Sequence, residues 1–270
     1  MAFMAMPSAG SAEHAPLWEV GFGFSGLTIP DYRGSDERKG YVLPFPYVDY
    51  RGDLLKIDRK GIYSRIFQAE RLRVEMSADA SVPVKSQDNS ARQGMPDLDP
   101  TFEIGPSLEV CLSAECKGER VWMFRMPMRA VIASDFSRID SAGWVINPYL
   151  NFDGRVPGPG GIWNFGVAVG PMFANERFHE YYYGVAPAYA AATRPVYNAR
   201  GGYSGFRVAS AVSRRFENYW VGLFARYDNL SGAVFEDSPL FRTRHAFLAG
   251  FGVAWIFARS STLVNTFPSQ

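Results

Sequence analysis

The sequence predicts an all-β fold: a transmembrane antiparallel up-and-down β-barrel of about 12 strands. Two long runs carry the prediction. From Arg71 to Val82 the even positions are Leu72, Val74, Met76, Ala78, Ala80 and Val82, while the odd ones include Arg71, Arg73, Glu75, Ser77 and Asp79. From Thr101 to Val110, Phe102, Ile104, Pro106, Leu108 and Val110 alternate with Thr101, Glu103, Gly105, Ser107 and Glu109. Side chains alternate across a strand, so each run has an apolar and a polar face. Five or six apolar positions on a tilted strand match the hydrocarbon thickness of a bilayer.

Composition supplies the third observation. Aromatic residues make up 15% of the chain, yet 20% of it is charged, and the mean hydropathy is only −0.13. No stretch approaches 18 uninterrupted apolar residues, which excludes a membrane-spanning helix. A barrel reconciles these facts, because half of each strand faces lipid and half faces the lumen. The 26 glycines and 18 prolines suit many strands joined by turns. A net charge of +1, without a basic run interleaved with aromatics, gives no reason to expect nucleic acid as a partner.

Taken in order, Met1 to Met6 is a short apolar run, followed by Ser8, Ala9, Gly10, Ser11 and Ala12. This resembles the end of a signal peptide, with cleavage after Ala12; the bland alternative is a disordered N-terminus. The expected division is 1–16 as that segment, 17–257 as the barrel and 258–270 as a periplasmic tail. Trp18, Val20, Phe22 and Phe24 form the outer face of a first strand. Trp122 to Ile132, Trp144 to Phe152, Trp163 to Val169, Phe206 to Val212, Val221 to Ala225 and Phe247 to Phe257 repeat the alternation. Several of these faces begin or end in Trp or Tyr, as interfacial girdles do.

Short connections are expected near Arg51–Asp53, Gln68–Glu70, Leu112–Glu119, Arg155–Gly160 and Phe216–Asn218. Longer ones fall at Ile29–Gly40, Lys85–Leu98, Ser134–Ala142, Asn175–Gly201 and Ser231–Thr243. Short periplasmic turns alternating with long external loops is barrel layout. Keeping that phase requires a small hairpin between Leu54 and Phe67, turning near Arg59–Gly61. Pro44, Pro46, Pro106, Pro127, Pro148 and Pro171 fall inside strands, so bulges or bends are expected there.

Three segments resemble a known family. Asp31-Tyr32-Arg33-Gly34-Ser35-Asp36-Glu37 followed by Val42-Leu43-Pro44-Phe45-Pro46-Tyr47, then Tyr181-Tyr182-Tyr183-Gly184-Val185, then Asp237-Ser238-Pro239-Leu240, are similar to MipA/OmpV outer-membrane proteins. The resemblance implies a barrel in the outer membrane of a Gram-negative bacterium. It also implies a scaffold role linking a lytic transglycosylase to a penicillin-binding protein. One departure is that the terminal aromatic expected of such barrels, Phe257, is followed by Ala258 to Gln270; Phe267 is a second candidate.

Gly21-Phe22-Gly23-Phe24-Ser25-Gly26 fits G-x-G-x-x-G, but Phe22 and Phe24 continue a lipid face and Pro30 follows in place of a helix, so a nucleotide site is not expected. Cys111 and Cys116 flank a periplasmic turn, either as a hairpin disulfide or as two free thiols. His14, His179 and His245 show no metal spacing, and neither a metal nor a cofactor is expected. His179 or His245 with Asp237 or Glu180 is the one base-and-orienter arrangement on offer, and loop histidines are usually only solvated. Tyr181, Tyr182 and Tyr183 form either a packed anchor or a recognition surface. Arg71, Arg73, Glu75, Asp79, Glu103, Glu109, Arg125, Arg129, Arg207, Arg226 and Asp228 are expected to face the lumen, and their mixed signs favour pairing over an open pore. The expectation is a structural scaffold without a catalytic centre. The alternatives are a small-solute channel, or an adhesin acting through Asn175–Gly201.

Overall fold

The computed structural model describes residues 13–52, 55–58, 61–116, 118–135 and 137–266. The strands are β1 (Glu13–Pro16), β2 (Trp18–Pro30), β3 (Arg38–Arg51), β4 (Leu55–Asp58), β5 (Gly61–Gln68), β6 (Leu72–Ala80), β7 (Thr101–Cys111) and β8 (Arg120–Ser134). They continue with β9 (Ile139–Ile146), β10 (Tyr149–Gly158), β11 (Gly161–Ala174), β12 (Gly202–Arg215), β13 (Tyr219–Asn229), β14 (His245–Arg259) and β15 (Leu263–Thr266). Among the described residues one α-helix, α1 (Glu176–Tyr183), interrupts them. Among the described residues no helix is long and apolar enough to cross a membrane.

Strands β2 to β14 form one antiparallel sheet, in which β14 pairs back onto β2. Strands β9 and β10 run as a single strand interrupted at Asn147 and Pro148. Both pair with β8 and both with β11, and the register across the gap is kept, with Met128 opposite Ile146 and Arg125 opposite Tyr149. The small hairpin expected before Phe67 is β4–β5, closing with Asp58 opposite Gly61. It is short. Strand β3 meets β4 only at Tyr50 and Arg51, so along the rest of β3 the sheet is not continuous with β6 among the described residues.

Proline placement follows from its missing donor. Pro148 marks the interruption between β9 and β10, and the register shifts between Pro171 and Phe173. Pro106 and Pro127 cause no shift, since Ile104–Ala130 and Ser107–Pro127 share one register. Pro44 and Pro46 also leave the β2–β3 register regular. Among the described residues β3 has no neighbour on its other side there, so the absent N–H groups cost that ladder nothing.

Two connections are shorter than their sequence suggests. Strand β8 runs to Ser134 and β9 starts at Ile139, leaving residues 135–138. Val156 and Pro157 pair with Trp163 and Ile162, so the next hairpin turns on two residues, with Gly160 at φ 77°. At the chain ends, β14 passes the expected boundary at Phe257 and continues to Arg259. Strand β1 pairs with β15, Glu13 opposite Thr266 and Pro16 opposite Leu263, so segments assigned to the two tails form a ribbon. The signal-like segment, its cleavage point after Ala12 and Phe267 lie outside the described residues.

Side-chain direction follows the predicted parity. On β7, Phe102 and Ile104 are exposed while Thr101, Ser107 and Glu109 are buried. On β14, Phe247, Phe251, Val253, Trp255 and Phe257 face out while Ala246, Ala254 and Ile256 face in. The Gly21–Gly26 segment is the middle of the unbroken strand β2, as its alternation predicts. Outward Trp18, Trp122, Tyr219 and Trp255 cluster at the short-turn end, and Trp144 and Tyr227 lie toward the other.

The parity predicts a sharp contrast between nearby positions on β12. Val208 is outward beside Val169 and Tyr227, whereas Ala211 lines the interior. In lipid vesicles Val208→Arg should lose about 2–4 kcal/mol of folding free energy and Ala211→Arg much less. Urea unfolding of the two variants checks this, and equal losses would break the assignment.

Candidate functional site

The interior is polar, and its charges are paired. Asp228, 1% exposed, receives Arg207 at 2.8 Å, Arg226 at 3.1 Å and Arg33 at 3.4 Å. Arg129 bridges Glu103 at 2.9 Å and Asp79 at 3.8 Å. Glu109 holds Arg125 at 3.2 Å and Arg73 at 3.5 Å, and Arg73 also reaches Glu75 at 4.0 Å. Buried charges are tolerated only when paired and hydrogen-bonded, which explains how a strand can carry them at alternate positions. Arg71 is the departure. It sits in the turn before β6, its guanidinium on the Ser113 and Ala114 carbonyls at 3.0 and 3.2 Å, away from the interior. Arg33 is the charge that sequence reasoning missed: it lies in a loop, where no alternation marks it.

At the short-turn end, β13, β14 and β3 fill the interior with Trp220, Phe45, Tyr47, Ala254 and Ile256. A second group of charges lies near them, with Glu19 holding Arg51 at 3.1 Å and Arg215 at 2.6 Å. Around the turn, Cys111 and Cys116 are joined by a disulfide.

At the other end the long connections pack into one cap. Tyr32, Val84, Leu98, Tyr183, Leu230 and Phe235 come from four different connections and form its apolar core. The three segments that carried the family resemblance meet here. Tyr32 Oη donates to the Leu240 carbonyl at 2.7 Å, Tyr183 Oη to the Arg33 carbonyl at 2.6 Å, and Ser238 Oγ to the Tyr183 carbonyl at 2.7 Å. Asn89 is fully packed, donating to Asp31 at 2.9 Å and Ser35 at 3.1 Å.

Helix α1 delivers the tyrosine row. Asn175 caps it, its side-chain oxygen accepting from Phe178 N at 3.3 Å and from Trp144 N at 2.9 Å. Gly143, at φ 99°, leaves that cap room; a Cβ would collide with the Asn175 side chain. Tyr181 donates to the Asp99 carbonyl at 3.0 Å, and Tyr182 meets Thr101 Oγ1 at 3.3 Å. Tyr183 stacks on Phe235 with centroids 3.8 Å apart. None of the three rings is exposed, and burial pushes each phenol above its ordinary range. The row anchors the cap.

His179 lies at the root of the cap, wholly buried. Nδ1 meets the Arg200 carbonyl and Nε2 meets Ser204 Oγ, both at 2.5 Å. A carbonyl only accepts, so Nδ1 carries the proton and Ser204 donates to Nε2. Neither Asp237 nor Glu180 orients it; Glu180 accepts from Ala199 N at 2.7 Å. His245 pairs instead with the Tyr227 hydroxyl at 2.6 Å. Among the described residues no group of His, Cys, Asp and Glu gathers for a metal.

One antiparallel sheet with an apolar outer face, a paired-charge inner face and an interlocked cap of long connections defines an all-β protein. The chain belongs to the MipA family: the family model described as MltA-interacting protein MipA matches residues 22–257. No curated protein matches the chain. One solved structure, described as "Asymmetric conductivity of engineered proteins", aligns with 89% of this chain and 100% of its own at 10% identity. Its TM-score of 0.16 is too low to carry an argument.

Burial lowers the His179 pKa to about 4, and the nearby Arg33 adds to the effect. The unfolded value is higher, so the neutral imidazole's contribution is complete above about pH 6.5 and is lost as pH falls toward 4. Protease cleavage within residues 81–100 should therefore rise between pH 6.5 and 4.5. His179→Gln, which cannot take the proton, should flatten the profile; an unchanged profile would remove His179 from the cap's acid response. In mature protein, alkylation without reduction followed by mass spectrometry should find Cys111 and Cys116 linked, and two labelled thiols would exclude the bond.

Proposed function

We propose that this chain is an outer-membrane β-barrel of about 12 strands in a Gram-negative bacterium, and that it serves as a scaffold. The long connections lie outside the cell and the short turns in the periplasm. Support for the membrane setting comes from the apolar outer face and its two aromatic borders. One observation carries the scaffold reading: the interior is occupied by paired charges and bulky rings, under a cap whose loops hold one another. Function then resides on the rim.

The family description names an interaction with MltA, and the proposed partners are a lytic transglycosylase together with a penicillin-binding protein acting on peptidoglycan. The short-turn rim offers Leu112, Val156 and Phe216 as exposed apolar contacts, with Glu119 and Glu217 beside them. Such a mixed apolar and charged rim suits protein docking. Its parts sit on rigid hairpins, one clamped by the disulfide and one by Arg214, which lies over the Trp163 and Phe216 rings.

The test is recovery of murein hydrolase and synthase with the tagged barrel from solubilised membranes. Leu112→Ser combined with Glu119→Lys should lower recovery several-fold, while heat-modifiable gel migration of the barrel stays normal. Undiminished recovery would move docking elsewhere, and no periplasmic enzyme on the intact barrel would refute the scaffold.

A further inference from the structure

The interior is not filled throughout. A cavity of about 590 Å³ lies between β6 and β13, lined by both charged and neutral side chains. Its size is within the roughly 300–1,000 Å³ of small-molecule sites. The charged groups on its wall are already engaged: Arg129 with Glu103 and, at 3.8 Å, with Asp79, Glu109 with Arg125, Arg207 and Arg226 with Asp228. Asp153 accepts from Asn151 Nδ2 at 2.9 Å.

What the wall leaves unused is neutral. Tyr149 Oη, Ser107 Oγ and the amide oxygens of Asn147 and Asn151 have no partner among the described residues, although Ser107, Asn147 and Asn151 are 5, 6 and 8% exposed. Asn147 spends its amide nitrogen on the Pro171 carbonyl at 2.7 Å, which fixes its oxygen. The strand places these groups together. Asn147, Tyr149 and Asn151 share one inward face, and Ser107 lies opposite Pro127, whose carbonyl accepts from Asn147 N. Tyr149 and the inward Phe224 add aromatic surface on the same cavity.

We propose that this cavity is a binding site for a neutral, polyhydroxylated solute of sugar size. Hydroxyls both donate and accept, so a sugar can satisfy two amide oxygens, a serine and a phenol at once. The C–H face of a sugar ring can rest on Tyr149 or Phe224. An ion would enter a space where every opposite charge on the wall already has a partner, and would stay uncompensated. The site is independent of the scaffold function, since it lies inside the barrel and not on the rim.

Calorimetric titration of the full chain in lipid nanodiscs tests it, using glucose, N-acetylglucosamine and sucrose as neutral probes and gluconate and glucosamine as charged ones. At least one neutral sugar should give saturable heat, with the charged probes at least ten-fold weaker. Tyr149→Phe and Ser107→Ala, which keep the shape of the wall, should each weaken that sugar three-fold or more. No saturable heat from any of the three sugars would overturn the proposal. So would gluconate or glucosamine binding as well as the sugar, or full affinity in both variants.

Discussion

Asp228 is the point on which the rest of the structure turns. Its carboxylate is buried at the end of β13 and holds three guanidiniums, two from the wall and one from the β2–β3 connection. A carboxylate in that position is costly unless several donors reach it, and three arginines are costly without it. Arg33 is the member that crosses between layers. Its guanidinium enters the interior while its carbonyl accepts from Tyr183 in the cap. It also donates to the Ser204 carbonyl at 2.7 Å, beside the hydroxyl that holds His179. One ion-pair cluster thus fixes the top of the wall, the first loop and the root of helix α1 together.

The cap follows from that anchoring. A single loop over a barrel would have few buried contacts and would move freely. Here each connection is closed by the others: Tyr32 by Leu240, Ser238 by Tyr183, and Arg92 by the Tyr182 carbonyl at 3.1 Å. Loops with a common apolar core are a poor gate and a good lid. The same packing leaves the tyrosine row unavailable as an outward recognition surface, and directs attention to the opposite rim.

The wall was legible in the sequence because period-two alternation is a local signal. It marked the strands and their polar side, the alternation of short and long connections required the β4–β5 hairpin, and the bend expected at Pro148 is the break between β9 and β10. The cap was not legible in the same way. Tyr32, Tyr183 and Ser238 are far apart in the chain, and nothing in their spacing says that their hydroxyls close one triangle of loops. The family resemblance picked out these segments without giving the physical reason they matter. Arg71 shows the limit of parity at a strand end: one residue before β6 the alternation continues in sequence while the backbone has already turned. The β1–β15 ribbon was missed for a related reason. Four-residue strands carry too little alternation to stand out, and their pairing joins opposite ends of the chain.

The central claim is that the cap at one end and the packed rings at the other close the interior to ion passage, leaving the scaffold function to the rim. The most direct measurement is the ion conductance of the purified, lipid-inserted protein in a planar bilayer at neutral pH. The account predicts a quiet baseline with no steady open state. A large, steady conductance from the folded protein would contradict it and make the interior a channel.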